Sequence, residues 1–146
     1  MPGARLGAAV AGADVIAEFV KALDCLHICP QRPAQAALTW AIDALRRWRA
    51  ENRARVNTRA AAVRSTFAGL DGWALHSLGA YFAYVQHPFG RGASAVAERL
   101  AAEFGAVCLP GPAFGPGQDG HLRMAFANTD LDGLRALRDR LAAMGG

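Results

Sequence analysis

Apolar residues recur along most of this chain at helical or strand spacing, separated by glycine and proline breaks. Residues 5–11 form a short apolar run that reads as a strand. From Asp14 to about Leu26 the apolar positions Val15, Phe19, Val20 and Leu23 follow a helical period. Pro30 and Pro33 punctuate the break that follows. From 33 to 70 the positions Ala34, Leu38, Ala41, Leu45, Trp48, Val56, Ala60, Val63 and Phe67 step by threes and fours, with Asn52 as an interruption. That pattern predicts one long helix of about 50 Å, suited to a strut between two lobes. Beyond Gly69 and Gly72 the runs shorten. Strands are predicted over 73–77 and 80–86, with Ser77-Leu78-Gly79 as the turn between them. A helix follows over 93–104, then a short strand over 107–109. A glycine-rich loop leads to a strand over 121–128. Thr129-Asp130-Leu131-Asp132 matches a capping-box start for a last helix ending near Met144. From residue 73 the order β-β-α-β-loop-β-α predicts an α+β unit with helices on a small sheet.

Composition narrows the class. With 146 residues and 53% hydrophobic content, the chain has enough apolar material for a packed core. Lys21 is the only lysine among 16 basic residues, and the net charge of +4 permits an acidic ligand without indicating nucleic acid. Cys25, Cys29 and Cys108 are too few for a disulfide framework and fit a reducing, cytoplasmic setting. The spacing of Cys25-Leu26-His27-Ile28-Cys29 matches no common zinc pattern, so no metal is expected. No apolar run reaches the length of a membrane span. Arg5 and the residues after it imitate a secretory leader, but the apolar stretch is short and the strand reading is preferred. The arginines at 46, 47, 49, 53, 55, 59 and 64 spread around a helix instead of forming one stripe. They read as a solvated face, not as a nucleic-acid surface.

The stretch 109–128, LPGPAFGPGQDGHLRMAFAN, carries the most specific chemistry. Arg123 sits in an apolar strand between Leu122 and Met124. A buried guanidinium is costly without a partner, so an anion is expected beside it. Arginine takes a carboxylate through two parallel hydrogen bonds, a geometry lysine cannot copy. The preceding loop has the glycines and prolines of a tightly turned backbone that can approach a ligand. His121 lies two residues away, on the same strand face.

Several segments, in order, resemble the C-terminal part of fold-type I, pyridoxal-phosphate-dependent class I/II aminotransferases. The LRMAFA strand is similar to the one whose arginine holds the substrate α-carboxylate, a role the resemblance gives to Arg123. Met1-Pro2-Gly3-Ala4-Arg5-Leu6-Gly7 resembles the segment whose arginine holds the cofactor phosphate, which points to Arg5. Ser77-Leu78-Gly79-Ala80-Tyr81-Phe82-Ala83 resembles a small-domain strand near the substrate, making Tyr81 and Phe82 substrate-side candidates that alternate across the strand. Gln35 and the Leu109-Pro110-Gly111 loop also fit. The resemblance implies a remnant of the large cofactor-binding domain over 1–32, an interdomain helix over 33–70 and a small α+β domain over 71–146.

In that family the Schiff-base lysine lies about eight residues before the phosphate-binding arginine. Its position here falls before Met1, and Lys21 stands elsewhere, so no catalytic lysine is expected. The implied reaction is amino-group exchange between an amino acid and a 2-oxo acid. The chain is therefore expected to be a C-terminal portion, inactive alone. The alternatives are one chain of a split enzyme and a non-catalytic module that retains the small-domain fold. The expected partners are a substrate carboxylate and either a large-domain chain or a second copy. Exposed apolar surface in the remnant should favour association.

Overall fold

The computed structural model of the protein describes residues 5–90 and 92–145. It divides into two compact units, Met1–Ala50 and Glu51–Gly146.

The first unit is helical. Helix α1 spans Ala13–Leu26, α2 Arg32–Leu38 and α3 Ala41–Ala44, and the chain then enters α4, Arg46–Phe67. No residue of α1, α2 or α3 is buried. Residues 5–11 do not form the expected strand. A strand exists only by pairing, and no strand among the described residues lies against this segment.

The single helix expected over 33–70 is likewise interrupted, first at Thr39-Trp40 and again at Leu45. The Thr39 hydroxyl turns back to donate to the Ala36 carbonyl at 2.8 Å, a local bond that competes with the helix ladder. Leu45 leaves the helical region, at φ −94° and ψ 12°. Near that break the Ile42 carbonyl accepts instead from the Arg49 guanidinium at 2.5 Å. The apolar period survives as a shading: Ala34, Leu38, Ala41 and Leu45 are half-buried among exposed neighbours.

The second unit holds the core. Strands β1 (Ala74–Gly79), β2 (Phe82–Gln86), β3 (Leu109–Pro110) and β4 (His121–Ala125) form one sheet in the order β1-β2-β4-β3, with every neighbouring pair antiparallel. Helices α5 (Ala93–Phe104) and α6 (Leu131–Met144), with the end of α4, cover one face. Ala83 and Val85 of β2 and Leu122 and Met124 of β4 point into that core. There they meet Val63, Phe67, Val96, Leu100, Leu134 and Leu141. This is the mixed α+β fold expected from the element order.

Polar bonds fix the helices. Asp130 caps α6 by accepting from the Gly133 N–H at 2.8 Å, so the cap lies one residue past the expected Thr129. Arg138 donates to the carbonyls of Ser65, Thr66 and Ala68 at 3.1, 2.7 and 2.9 Å, satisfying the end of α4. Arg59 donates to the Ala127 carbonyl.

The strand limits differ from expectation near the site. The first hairpin turns at Ala80-Tyr81, not at Ser77-Leu78-Gly79, because Gly79 already pairs with Phe82. Ala80 takes a left-handed φ of 47° there. A bulge between Leu75 and Ser77 leaves His76 as the extra residue of β1. Strand β3 begins at Leu109 instead of Val107, which is exposed, and β4 ends at Ala125.

Candidate carboxylate site on the open face of the sheet

Strand alternation sends Leu122 and Met124 inward, so Arg123 between them points to the other face. Arg123 is therefore half-buried, not enclosed in the apolar interior. Its apolar flanks line the opposite side of the sheet. The expected anion is not supplied by the chain, because no carboxylate pairs with Arg123 among the described residues.

Two aromatic rings take that place. The Arg123 guanidinium carbon lies 4.4 Å from the Phe82 ring centre and 4.1 Å from the Phe114 ring centre. Each contact contributes roughly 0.5–2 kcal/mol by cation–π attraction. Ser77, Leu78, Gly79 and Tyr84 complete a groove of about 430 Å³ around the cation and its two rings.

Phe114 reaches Arg123 from the glycine-rich loop, at the end of a short 3₁₀ turn, Gly111–Phe114. Gly111 is required by close approach. A Cβ there would stand 2.2 Å from the Gln118 carbonyl oxygen and 2.9 Å from that of His121. The loop is thus folded back on itself. Its far limb is tied by the Tyr84 hydroxyl, which donates to Gln118 Oε1 at 2.7 Å. Buried His87 ties it too, with Nε2 bonded to the Asp119 carbonyl at 3.1 Å while Nδ1 accepts from the Phe89 N–H at 3.3 Å.

Beside Tyr84 lies an imidazole pair. The His121 ring stacks on Tyr84 at 5.1 Å with 4° between planes. His121 Nε2 is 3.3 Å from His76 Nδ1, and His76 Nε2 is 3.0 Å from Gln86 Oε1. The Gln86 oxygen only accepts, so His76 carries its proton on Nε2 and its Nδ1 accepts from His121 Nε2–H. This leaves His121 Nδ1 as a bare, buried acceptor. Burial, then the neighbouring His76 and His87, lowers the His121 pKa from its ordinary value.

Of the residues singled out in the sequence, the fold brings Phe82 and Arg123 together. Tyr81 does not alternate with Phe82 on a strand. It occupies the exposed hairpin turn, where its carbonyl accepts from the Phe126 N–H at 3.0 Å. Arg5 is exposed in the first unit with a φ of 50°, and residues 1–4 of its motif lie outside the described residues. Lys21 pairs with Glu18 at 2.6 Å on exposed α1. Tyr84 and Gln118 were not singled out. Their signal was available only as strand parity for Tyr84, and nothing local marked Gln118.

Other chemistry is weaker. The three cysteines are free, and burial pushes the Cys108 thiol up to about 11, away from nucleophilic use. No group of three metal-ligating side chains occurs among the described residues, and no helix there is long and apolar enough to cross a membrane. A separate cavity of about 300 Å³, lined by residues including Phe67, Met124, Leu134 and Leu137, contains none of the predicted site residues.

Pyridoxal phosphate takes a lysine amine at its aldehyde and cations at its phosphate. The one lysine, Lys21, is paired with Glu18 on exposed α1, and Arg5 is an exposed cation of the first unit.

Comparison with known proteins places the chain in a family. The sequence matches the family described as aminotransferase class I and II over residues 1–141. Among solved structures, the aromatic aminotransferase of Pyrococcus horikoshii OT3 superposes with a TM-score of 0.72 at 25% identity, covering 99% of this chain and 39% of that one. A Thermus thermophilus aspartate aminotransferase mutant gives 0.73 at 26%, covering 98% and 39%. An aminotransferase from Mycobacterium tuberculosis gives 0.74 at 21%, covering 99% and 38%, a likeness of fold. No curated protein matches the chain. The chain thus spans about two fifths of the length of these solved relatives. With its α+β sheet and a match over nearly its whole length, the chain belongs to the class I and II aminotransferases.

Proposed function

We propose that this chain is the substrate-carboxylate portion of a pyridoxal-phosphate-dependent aminotransferase and does not turn over substrate alone. Arg123 takes the α-carboxylate of an amino acid or 2-oxo acid through its guanidinium fork, with Phe82 and Phe114 packed against the group. The carrying observation is that pair of contacts: a half-buried cation 4.4 and 4.1 Å from two ring centres, with no carboxylate partner among the described residues. When bound in the complete enzyme, the cofactor supplies the electron sink for amino-group exchange. Arg5 is assigned to its phosphate. Residues 1–32 are read as part of the large domain, 33–70 as the interdomain segment and 71–146 as the small domain. The exposed apolar residues of the first unit, among them Val15, Phe19, Val20, Ile42 and Trp48, favour a further reading as one chain of a two-chain enzyme.

Titration of the labelled chain with sodium pyruvate, followed on the Arg123 side-chain resonances, tests the site. A saturable shift is expected, and Arg123→Lys should weaken binding by about tenfold or more. Unchanged resonances, or equal binding by the lysine variant, would overturn the assignment. Adding pyridoxal phosphate and an amino acid to the chain alone should give no turnover. Turnover with borohydride-stable labelling of Lys21 would reverse that conclusion.

A further inference from the structure

The two rings on Arg123 are held in different ways. Phe82 belongs to the sheet, paired with Gly79 on one side and Ala125 on the other. Phe114 belongs to the loop, so its place depends on whatever holds the loop. The near limb is fixed where Pro110 pairs with Leu122. The far limb is fixed at Gln118, whose carbonyl accepts from the His121 N–H at 3.0 Å and whose side chain accepts from the Tyr84 hydroxyl at 2.7 Å. Tyr84 stands directly opposite Arg123 in the β2–β4 register. Its ring is oriented by the parallel stack on His121.

We propose that Tyr84 is a positioning residue for the Arg123 site: its hydroxyl latches the loop through Gln118 and so keeps Phe114 against the guanidinium. The inference rests on reading Arg123 as the carboxylate-binding group. Tyr84 lines the groove beside Arg123, and its hydroxyl bonds the loop and not the guanidinium, so that hydroxyl contributes by ordering the guanidinium before a ligand arrives. An arginine already packed against two rings loses less side-chain freedom on binding. Without the latch, the limb keeps its backbone bond to His121 and its tie to His87, but Phe114 is held less firmly against Arg123 and more of the guanidinium's ordering falls to the ligand.

The test uses the full chain with labelled arginine. Ring currents from Phe82 and Phe114 displace the Arg123 side-chain protons upfield, and Phe114→Ala sets the scale of the Phe114 share. Tyr84→Phe removes the hydroxyl and keeps the stack, while Gln118→Ala removes the acceptor. Each is expected to move the Arg123 protons toward the Phe114→Ala position. Each should also weaken pyruvate binding by about threefold to tenfold, the range for one neutral hydrogen bond. The double variant should be no worse than either single one, because both remove the same bond. Wild-type Arg123 shifts and wild-type affinity in both single variants would overturn the proposal, as would losses that add in full. If Tyr84→Phe fails to fold, Gln118→Ala in the loop decides. If the parent chain binds no pyruvate, the carboxylate reading fails, and the Arg123 shifts still decide the latch.

Discussion

A guanidinium among apolar neighbours must find either an anion or a face where burial is incomplete. Arg123 takes the second course, because a strand alternates its side chains and hands Leu122 and Met124 to the core. The same parity puts His121 on the open face, where desolvation and the neighbouring His76 and His87 make its charging costly. Its lowered pKa means that the unfolded chain, with an ordinary value near 6.5, takes up the proton first on acidification. The contribution to stability is therefore complete above about pH 6.5, declines below it, and levels off once pH passes the folded-state pKa. Denaturant unfolding between pH 4 and 8 should show this slope, and His121→Asn should reduce it. An equal slope in that variant would place the dependence elsewhere.

Among the elements, the glycine-rich loop has the narrowest tolerance. Gly111 lies 2.2 Å, as a would-be Cβ, from the Gln118 carbonyl oxygen, with backbone rather than a flexible tip in the way. Gly111→Ala is expected to cost about 1–3 kcal/mol in the unfolding of the second unit, as other overpacked sites do. Gly120→Ala, in the same loop with open space around it, should stay within about 0.5 kcal/mol. Equal stability of the two variants would contradict the folded-back loop. The helical segment before the sheet shows a different limit. Its apolar period is visible from 33 to 70, yet a Thr39 side-chain bond and a bridge-region Leu45 divide it. A hydrophobic period reports which face is apolar and is blind to such local competition.

At the scale of the whole molecule, burial among the described residues is confined to one unit. No described residue from 5 to 50 is buried, and Val10, Leu26 and Ile28 are 96%, 85% and 80% exposed. Val85, Leu100, Leu122 and Leu141 in the second unit are fully enclosed. Hydrogen exchange on the intact chain should separate the two. Amides of 13–44 should exchange faster than those of β2 and β4 by at least on the order of a hundredfold, since opening there exposes little new apolar surface. Comparable protection in both would show that the first unit is covered in solution.

The sequence alone determined the three helices that the structure bounds at Ala13–Leu26, Ala93–Phe104 and Leu131–Met144 and the α+β order of the second unit, and it singled out Arg123 as the candidate for a carboxylate. Those features are written in local periodicity, in capping residues and in one cation set among apolar neighbours. The resemblance of ordered motifs reached the family as well. Only the tertiary structure decided which side of the sheet Arg123 faces, that Phe114 closes over it, and that Tyr84 and Gln118 hold the loop. Each of these depends on groups distant in sequence meeting across a register, as Tyr84 meets Arg123, and no local pattern encodes that meeting. The strand expected over 5–11 marks the same boundary from the other side: apolar composition can offer a strand, but a neighbouring backbone has to accept it.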